Sequence, residues 1–296
     1  MTTIVIGAGL AGLSLAIALQ DAGRSVRVLD KGRGPGGRCS TRRSPVGLFD
    51  HGAPLLHDLP QDLIERYSQH LSVSRDGHLP VPSINALPKA MAEGLDVRLD
   101  CRVTGLFETS GHWRVETEDG THEASTVALC LPAPQVAQLL PPDVAEHFDA
   151  PPMSPQWSLM YCAPAMADGP TRRMLTAGHS ATRQNDLERR DASGDERWVV
   201  HADLDWSAAN VDLDRNAAQD ALVNALRSEI ELADPTHVAI HRWLYARTIQ
   251  PMGAPYFWSA TGGLGAAGDW CIGPNAGDAI ASGRALAERI LGAKEG

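Results

Sequence analysis

The sequence predicts an α/β fold, a parallel sheet with covering helices into which an α+β segment is interleaved, and three observations lead there. A β-branched run at residues 3–7 (TIVIG) meets a glycine-rich turn and an Ala/Leu-rich stretch at 12–22. A second β-branched run, SVRVL at 25–29, ends at Asp30 and completes a βαβ unit. Further on, residues 153–261 alternate strand-like pieces with one amphipathic stretch near 215–231, the pattern of an antiparallel sheet carrying a helix.

Taken in order, the first strand and helix are joined by Gly7-Ala8-Gly9-Leu10-Ala11-Gly12. The first glycine permits the tight turn, the second lets the backbone approach a pyrophosphate, and the third lets the helix pack on the strand, with the phosphate at the helix N-terminus. Asp30 stands at the tip of the second strand, where a carboxylate accepts hydrogen bonds from a ribose diol. A dinucleotide turn alone does not require the second cluster, Gly32-Arg33-Gly34-Pro35-Gly36-Gly37-Arg38. Arg38 there offers a planar cationic fork to phosphate oxygens, while Arg33, Arg42 and Arg43 read equally well as a solvated basic turn.

A helix at 84–93, a strand at 95–101 and a hairpin over 103–121, turning at Ser110-Gly111 and Asp119-Gly120, lead to the apolar strand 126–131. Pro132, Pro134, Pro141, Pro142, Pro151 and Pro152 then punctuate a crossover. The pieces SLMYCA, RWVVHADL and VAIHRWLYA form a roof sheet, and the helix near 215–231 presents Leu222, Val223, Leu226 and Ile230 on one face. The polar, aperiodic segment RQNDLERRDASGDER (183–197) is expected to be an exposed loop. Near the end a small-residue strand closes on Gly268-Asp269, and a helix starts near Gly277. The expected division is a nucleotide-binding domain of 1–57, 83–150 and 262–296, with a substrate or roof domain of 58–82 and 151–261.

Composition excludes several classes. With 36 acidic against 26 basic residues the net charge is −10, and no nucleic-acid surface is expected. The apolar stretch 4–19 is broken by glycines and runs into a polar turn, so it reads as neither signal peptide nor membrane span. Cys39, Cys101, Cys130, Cys162 and Cys271 are odd in number and far apart, as in reduced, cytoplasmic proteins. The segment DLDWSAANVDLDR lacks the glycine and glutamate of a calcium loop, and no metal is expected. Oligomeric state is not legible.

Catalytic residues are less defined. His51, His201 and His241 could transfer protons, and Ser207 with His201 and Asp205 could suggest a hydrolase triad. No GxSxG elbow accompanies them, and in a strand such as VVHADLDW, His201 and Asp203 share a face by parity alone. Each histidine therefore reads first as a hydrogen-bonded structural residue, with His51 the best placed. Trp243 and Tyr245 alternate on one face of a strand with Arg242 on the other, which reads first as sheet core.

The two glycine clusters and the Gly268-Asp269 segment together resemble the flavin amine oxidase superfamily. That resemblance implies an amine-oxidase-like fold holding one non-covalent FAD across Gly7, Gly9, Leu10, Ala11, Gly12, Asp30, Lys31, Gly36, Gly37, Arg38, Val103, Gly268, Asp269 and Ala276. Arg38 meets its pyrophosphate, Asp269 its ribityl chain, and the final helix aims at the flavin ring. Within the superfamily, GGRCSTRR (36–43), FDHGA (49–53), GLDVRLDCRVTGL (94–106), ALCLPAPQVAQLL (128–140), RWVVHADLDWS (197–207), HRWLYAR (241–247) and GAAGDWCIG (265–273) are similar to the bacterial renalase family. That family's activity implies oxidation of isomeric dihydronicotinamide nucleotides, with O2 as acceptor and hydrogen peroxide as product, and a substrate site at His51, His241, Trp243 and Tyr245. The chain departs from the family at Pro54-Leu55-Leu56, in a shortened 58–82 segment, and at Pro274 to Asp278. An amine oxidase, a polyprenoid desaturase and a flavin-binding protein without turnover remain alternative readings.

Overall fold

Burial on both faces and parallel pairing place the first strand, Thr2–Ile6, in the middle of a six-stranded sheet. The structure is a computed structural model that describes residues 2–166, 172–184, 194–260 and 262–293. The sheet runs Phe257–Trp258, Leu264–Ala266, Thr126–Leu129, Thr2–Ile6, Ser25–Leu29, Asp96–Arg98, parallel throughout except for its first strand. Strands buried on both faces read as continuous apolar runs. Here Val5, Val28 and Ala128 face one way, against the helices Leu10–Asp21 and Ala276–Gly292. Ile4, Ile6, Val127 and Leu129 face the other way, against an antiparallel meander of Val103–Thr109, His112–Thr117 and Gly120–Ala124 and the helix Ala133–Leu139.

The expected 58–82 segment forms the short helix Gln61–Arg66 and the hairpin Leu71–Ser74 with Gly77–Pro80. Its Leu59, Leu63 and Tyr67 join the first core beside Leu13 and Leu15 rather than the roof. Their apolar surface finds its cover on the Leu10–Asp21 helix side of the sheet.

The roof is a five-stranded antiparallel sheet, ordered Arg172–Met174, Ser180–Arg183, Asp195–His201, Met153–Pro164, His237–Thr248. Trp157, Leu159, Tyr161, Trp198 and Val200 cover one face and meet Leu222 and Leu226 of the helix Arg215–Glu229. The opposite face carries Met160, Cys162 and Val199, and Phe49 of the hairpin Thr41–Ser44/Gly47–Asp50 is buried against them. That hairpin thus clamps the roof to the nucleotide-binding sheet.

Two further sequence expectations need correction. The loop expected over 183–197 is strand at both ends: Arg183 closes one strand, and Asp195–His201 forms another in which Glu196 and Arg197 are 5% and 2% exposed. Tertiary partners absorb these charges: Trp198 Nε1 donates to Glu196 at 3.0 Å, and Arg197 Nη1 donates to the Val46 carbonyl at 3.3 Å. Residues 185–193 of that expectation lie outside the described residues. The second correction concerns Asp203, which shares no strand face with His201. The strand stops at His201, and Asp203 caps the helix Leu204–Ala209 by accepting from Trp206 N at 2.9 Å.

Candidate functional site

The βαβ turn is built as the glycine spacing requires, and Asp30 also binds the chain itself. Its Oδ2 accepts from Ala8 N and its Oδ1 from Gly32 N, both at 2.6 Å, while Gly36 N donates to Ala8 O at 2.8 Å. The carboxylate expected to meet a ribose thus ties the two glycine clusters together, with lone pairs left for a second donor. A Cβ on Gly12 would lie 1.9 Å from Gly7 O, so close helix–strand approach requires glycine there. Gly9 differs: its φ of −79° suits any residue, and a Cβ would meet no atom of the chain within 4 Å. The chain itself therefore has room for a side chain at Gly9, and the backbone there lies open to a ligand. Gly37, at φ +55°, turns the second cluster back so that its own Cβ position lies 3.6 Å from Gly9 Cα. The cradle between the clusters fits the pyrophosphate of a dinucleotide.

Around it, Leu10 and Ala11 are the first, buried residues of the helix and offer backbone rather than side chains. Lys31 is exposed with Nζ 3.5 Å from Gln135 Oε1, and Val103 opens the meander, half-buried on the second core.

Arg38 and Asp269 are not separate. The guanidinium grips the carboxylate through both nitrogens, with Nη1–Oδ2 at 2.9 Å and Nη2 on Oδ1. Nη1 also donates to Ala246 O at 3.1 Å, and Thr248 Oγ1 donates to Asp269 Oδ2 at 2.8 Å. Asp269 is only 2% exposed and the Arg38 side chain 31%, so the pair is a half-buried junction of the glycine cluster, the roof strand and the C-terminal segment. Gly268 is held by its N–H to Ser282 Oγ at 3.0 Å. The departure at residues 274–278 has a physical role. Asn275 and Asp278 form a capping box on the helix Ala276–Gly292, Gly277 N donates to His57 O at 3.0 Å, and Asn275 Nδ2 donates to Asp58 at 2.6 Å. These bonds satisfy part of the first turn of the helix that was expected to aim its N-terminus at a flavin ring. The pattern N-x-x-D in the sequence is the signal that could have announced it.

At the other end three rings converge. His51, 6% exposed, lies edge-on to His241 with centroids 5.0 Å apart and stacks on Trp243 at 5.3 Å. His241 and Trp243 are 4.4 Å apart, and Trp243 Nε1 donates to the His51 carbonyl at 2.9 Å. Tyr245 follows on the same strand face, half-exposed. The cluster is distinct from the apolar cores, none of which includes Trp243 or Tyr245. Burial pushes His51 down to about 4, with His241, Arg42 and His201 adding to the effect. Burial likewise lowers His241, helped by Arg42 and Arg215.

His201 completes the arrangement from a direction the sequence did not reveal. Ser158 is in register with both His201 and His241 across the roof sheet. His201 Nε2 donates to the Gly52 carbonyl at 2.6 Å, which makes its buried Nδ1 an acceptor, and that atom, His51 Nδ1 and Ser158 Oγ have no hydrogen-bond partner. The floor beneath the rings is therefore polar and uncharged. Ser207 lies elsewhere, its Oγ accepting from Trp157 N at 3.3 Å, so no Ser–His pair forms.

The chain matches the NAD(P)-binding Rossmann-like domain over residues 5–71 and the flavin containing amine oxidoreductase family over residues 75–291. It is similar to a solved structure described as a protoporphyrinogen oxidase from Exiguobacterium sp. 255-15, with a TM-score of 0.71 and 14% identity over 98% of each chain. Cyclohexylamine oxidase from Brevibacterium oxydans IH-35A is similar at a TM-score of 0.67 and 12% identity, over 98% of this chain and 99% of that one. A phytoene desaturase of Fusarium fujikuroi is 43% identical over 68 residues, 21% of this chain, and the chain spans 12% of that relative's length.

Proposed function

The chain belongs to the flavin-containing amine oxidoreductase family and is a flavin-dependent oxidoreductase, and within that family we propose that it oxidises isomeric dihydronicotinamide nucleotides, with O2 as the final acceptor and hydrogen peroxide as product. A non-covalently held FAD, when bound, supplies the hydride acceptor at flavin N5. The space beside Gly9, Gly36 and Gly37 takes the pyrophosphate, Asp30 keeps lone pairs for the adenine-side ribose, and Arg38 and Asp269 face the phosphates and the ribityl chain. His51, His241, Trp243 and Tyr245 receive the substrate ring.

The observation that carries this reading is the cluster of three packed rings, with both imidazoles shifted toward the neutral form. A dihydropyridine is already an electron-rich hydride donor, so the chain needs to align it and keep water out rather than take a proton from it. Flat, neutral rings beside a polar floor suit that task.

Anaerobic mixing of the FAD-loaded protein with each dihydronicotinamide isomer tests the proposal. The flavin absorbance should bleach with the isomers, much more slowly with ordinary β-NADH, and return with peroxide when oxygen is admitted. Bleaching by an amine or a polyene alone assigns the chain to one of those chemistries instead.

A further inference from the structure

Residues 51–53 are held from two sides. Toward the nucleotide-binding sheet, Gly52 N donates to Ser40 O at 3.4 Å and Ala53 N to Arg38 O at 2.8 Å, and a Cβ on Gly52 would lie 1.9 Å from Arg38 O. That contact demands glycine, the residue with the most backbone freedom to lose, immediately after His51. Toward the roof, side chains from two different strands take consecutive carbonyls. Trp243 Nε1, on His237–Thr248, donates to His51 O at 2.9 Å, and His201 Nε2, closing Asp195–His201, donates to Gly52 O at 2.6 Å.

Those two strands flank Met153–Pro164, where Ser158 is in register with His201 on one side and His241 on the other. The two imidazoles therefore leave the same face of the roof, one strand to either side of Ser158. A bond to the first carbonyl alone orients one peptide plane and leaves the chain free to pivot at Gly52. The bond from His201 orients the next plane and removes that freedom. The His51 ring, packed on His241 at 5.0 Å and on Trp243 at 5.3 Å, takes its place from the backbone so held. In the next row of this face the residues in register are Val199, Met160 and Ala239, all apolar, so packing does not call for an imidazole at 201. His201 is 6% exposed with Nδ1 unpartnered, a loss of hydrogen bonding that an aliphatic side chain would not carry.

We infer that His201 is a positioning residue for the ring cluster: as the Nε2–H tautomer it holds the Gly52 carbonyl and so fixes where the His51 ring stands, acting on a substrate only through His51. This rests on the reading that the ring cluster receives the substrate. Burial, which lowers the His201 pKa, keeps the imidazole in the neutral form that this role uses.

Two variants separate the hydrogen bond from the bulk of the side chain. His201→Leu removes the donor, whereas His201→Gln keeps an N–H near the place of Nε2. In the FAD-loaded protein mixed with an isomeric dihydronicotinamide nucleotide, His201→Leu should lower the limiting rate of flavin bleaching by about tenfold or more, since a misplacement of about 1 Å costs up to about a hundredfold. Its FAD affinity should stay within about twofold of the parent, and His201→Gln should recover most of the rate. Heteronuclear NMR of the imidazoles supplies a readout that needs no substrate. His201 in the parent should be the Nε2–H tautomer, and the His51 ring protons, shifted by the stacked Trp243, should move in His201→Leu and return in His201→Gln. His201→Phe takes the place of His201→Leu if the latter does not fold. If no isomer bleaches the flavin, the dihydronicotinamide reading fails and the NMR result alone decides the inference. An Nδ1–H tautomer at His201, a His51 ring that does not move when the donor is removed, or a His201→Gln variant as slow as His201→Leu overturns it.

Discussion

Replacing Arg38 by alanine should cost both stability and cofactor affinity, and the two losses are separable. Asp269 accepts two hydrogen bonds from Arg38 and one from Thr248. Arg38→Ala leaves the Thr248 bond and a carboxylate that is 2% exposed. Two charge-assisted bonds at about 1.5 kcal/mol each sum to about 3 kcal/mol, the lower edge of the roughly 3–5 kcal/mol lost when one partner of a buried pair is removed. For a chain of this size that lowers Tm by about 5 °C. Removing both charges, as in R38M/D269L, leaves no buried ion and should restore at least half of the loss. Thermal unfolding of the apoprotein followed by circular dichroism measures this cycle, and titration with FAD measures affinity, expected to fall one to two decades in Arg38→Ala at about 1.5–3 kcal/mol. A coupling below about 0.5 kcal/mol in the apoprotein refutes the claim that this pair joins the three segments. An unchanged FAD affinity, with the coupling intact, refutes its role at the cofactor.

Gly9→Ala should leave the apoprotein's Tm unchanged or slightly raised, by up to about 1 kcal/mol of stability, because its Cβ meets nothing in the chain, yet weaken FAD by at least about tenfold. Gly12→Ala, whose Cβ would lie 1.9 Å from Gly7 O, should destabilise the apoprotein itself, and paired melting curves separate the two. The His51 ring titrates at about 4 when folded and at 6.5 as an unperturbed side chain, so the unfolded chain binds the proton first. Stability present above pH 6.5 is lost as pH falls toward 4, by something on the order of 3 kcal/mol. His51→Gln should flatten the melting temperature across that window, and an unchanged slope removes His51 as its source. Acid precipitation of the purified yellow protein should release intact FAD into the supernatant, and colour retained in the pellet would contradict non-covalent binding.

Local order in this protein was legible because period and special backbone positions are local properties. The run TIVIG, the glycine spacing behind it and SVRVL have no stable arrangement other than strand, turn, helix and strand, and they stand as Thr2–Ile6, Leu10–Asp21 and Ser25–Leu29. Leu222, Val223 and Leu226 likewise fell on one face of Arg215–Glu229, toward the roof core. The expected 95–101 strand was longer than the observed Asp96–Arg98, since pairing with Ser25–Leu29 extends over only three residues.

The choice of partner was decided in three dimensions. A carboxylate after a βαβ unit can accept from any donor within reach, and in Asp30 the amides of Ala8 and Gly32 reach it. Parity put His241, Trp243 and Tyr245 on one face, but only the docking of the clamp hairpin set His51 against them. Arg197 looked like part of a polar loop because charge in sequence signals solvent, and it is buried because the hairpin brings the Val46 carbonyl to it. The sequence by itself determined where the chain turns, which faces are apolar and where a phosphate can approach, all of which follow from periods of a few residues. Only the tertiary structure decided that Arg38 would hold Asp269 across 231 positions, because a charge selects its partner by distance in space and by burial, neither of which is written along the chain.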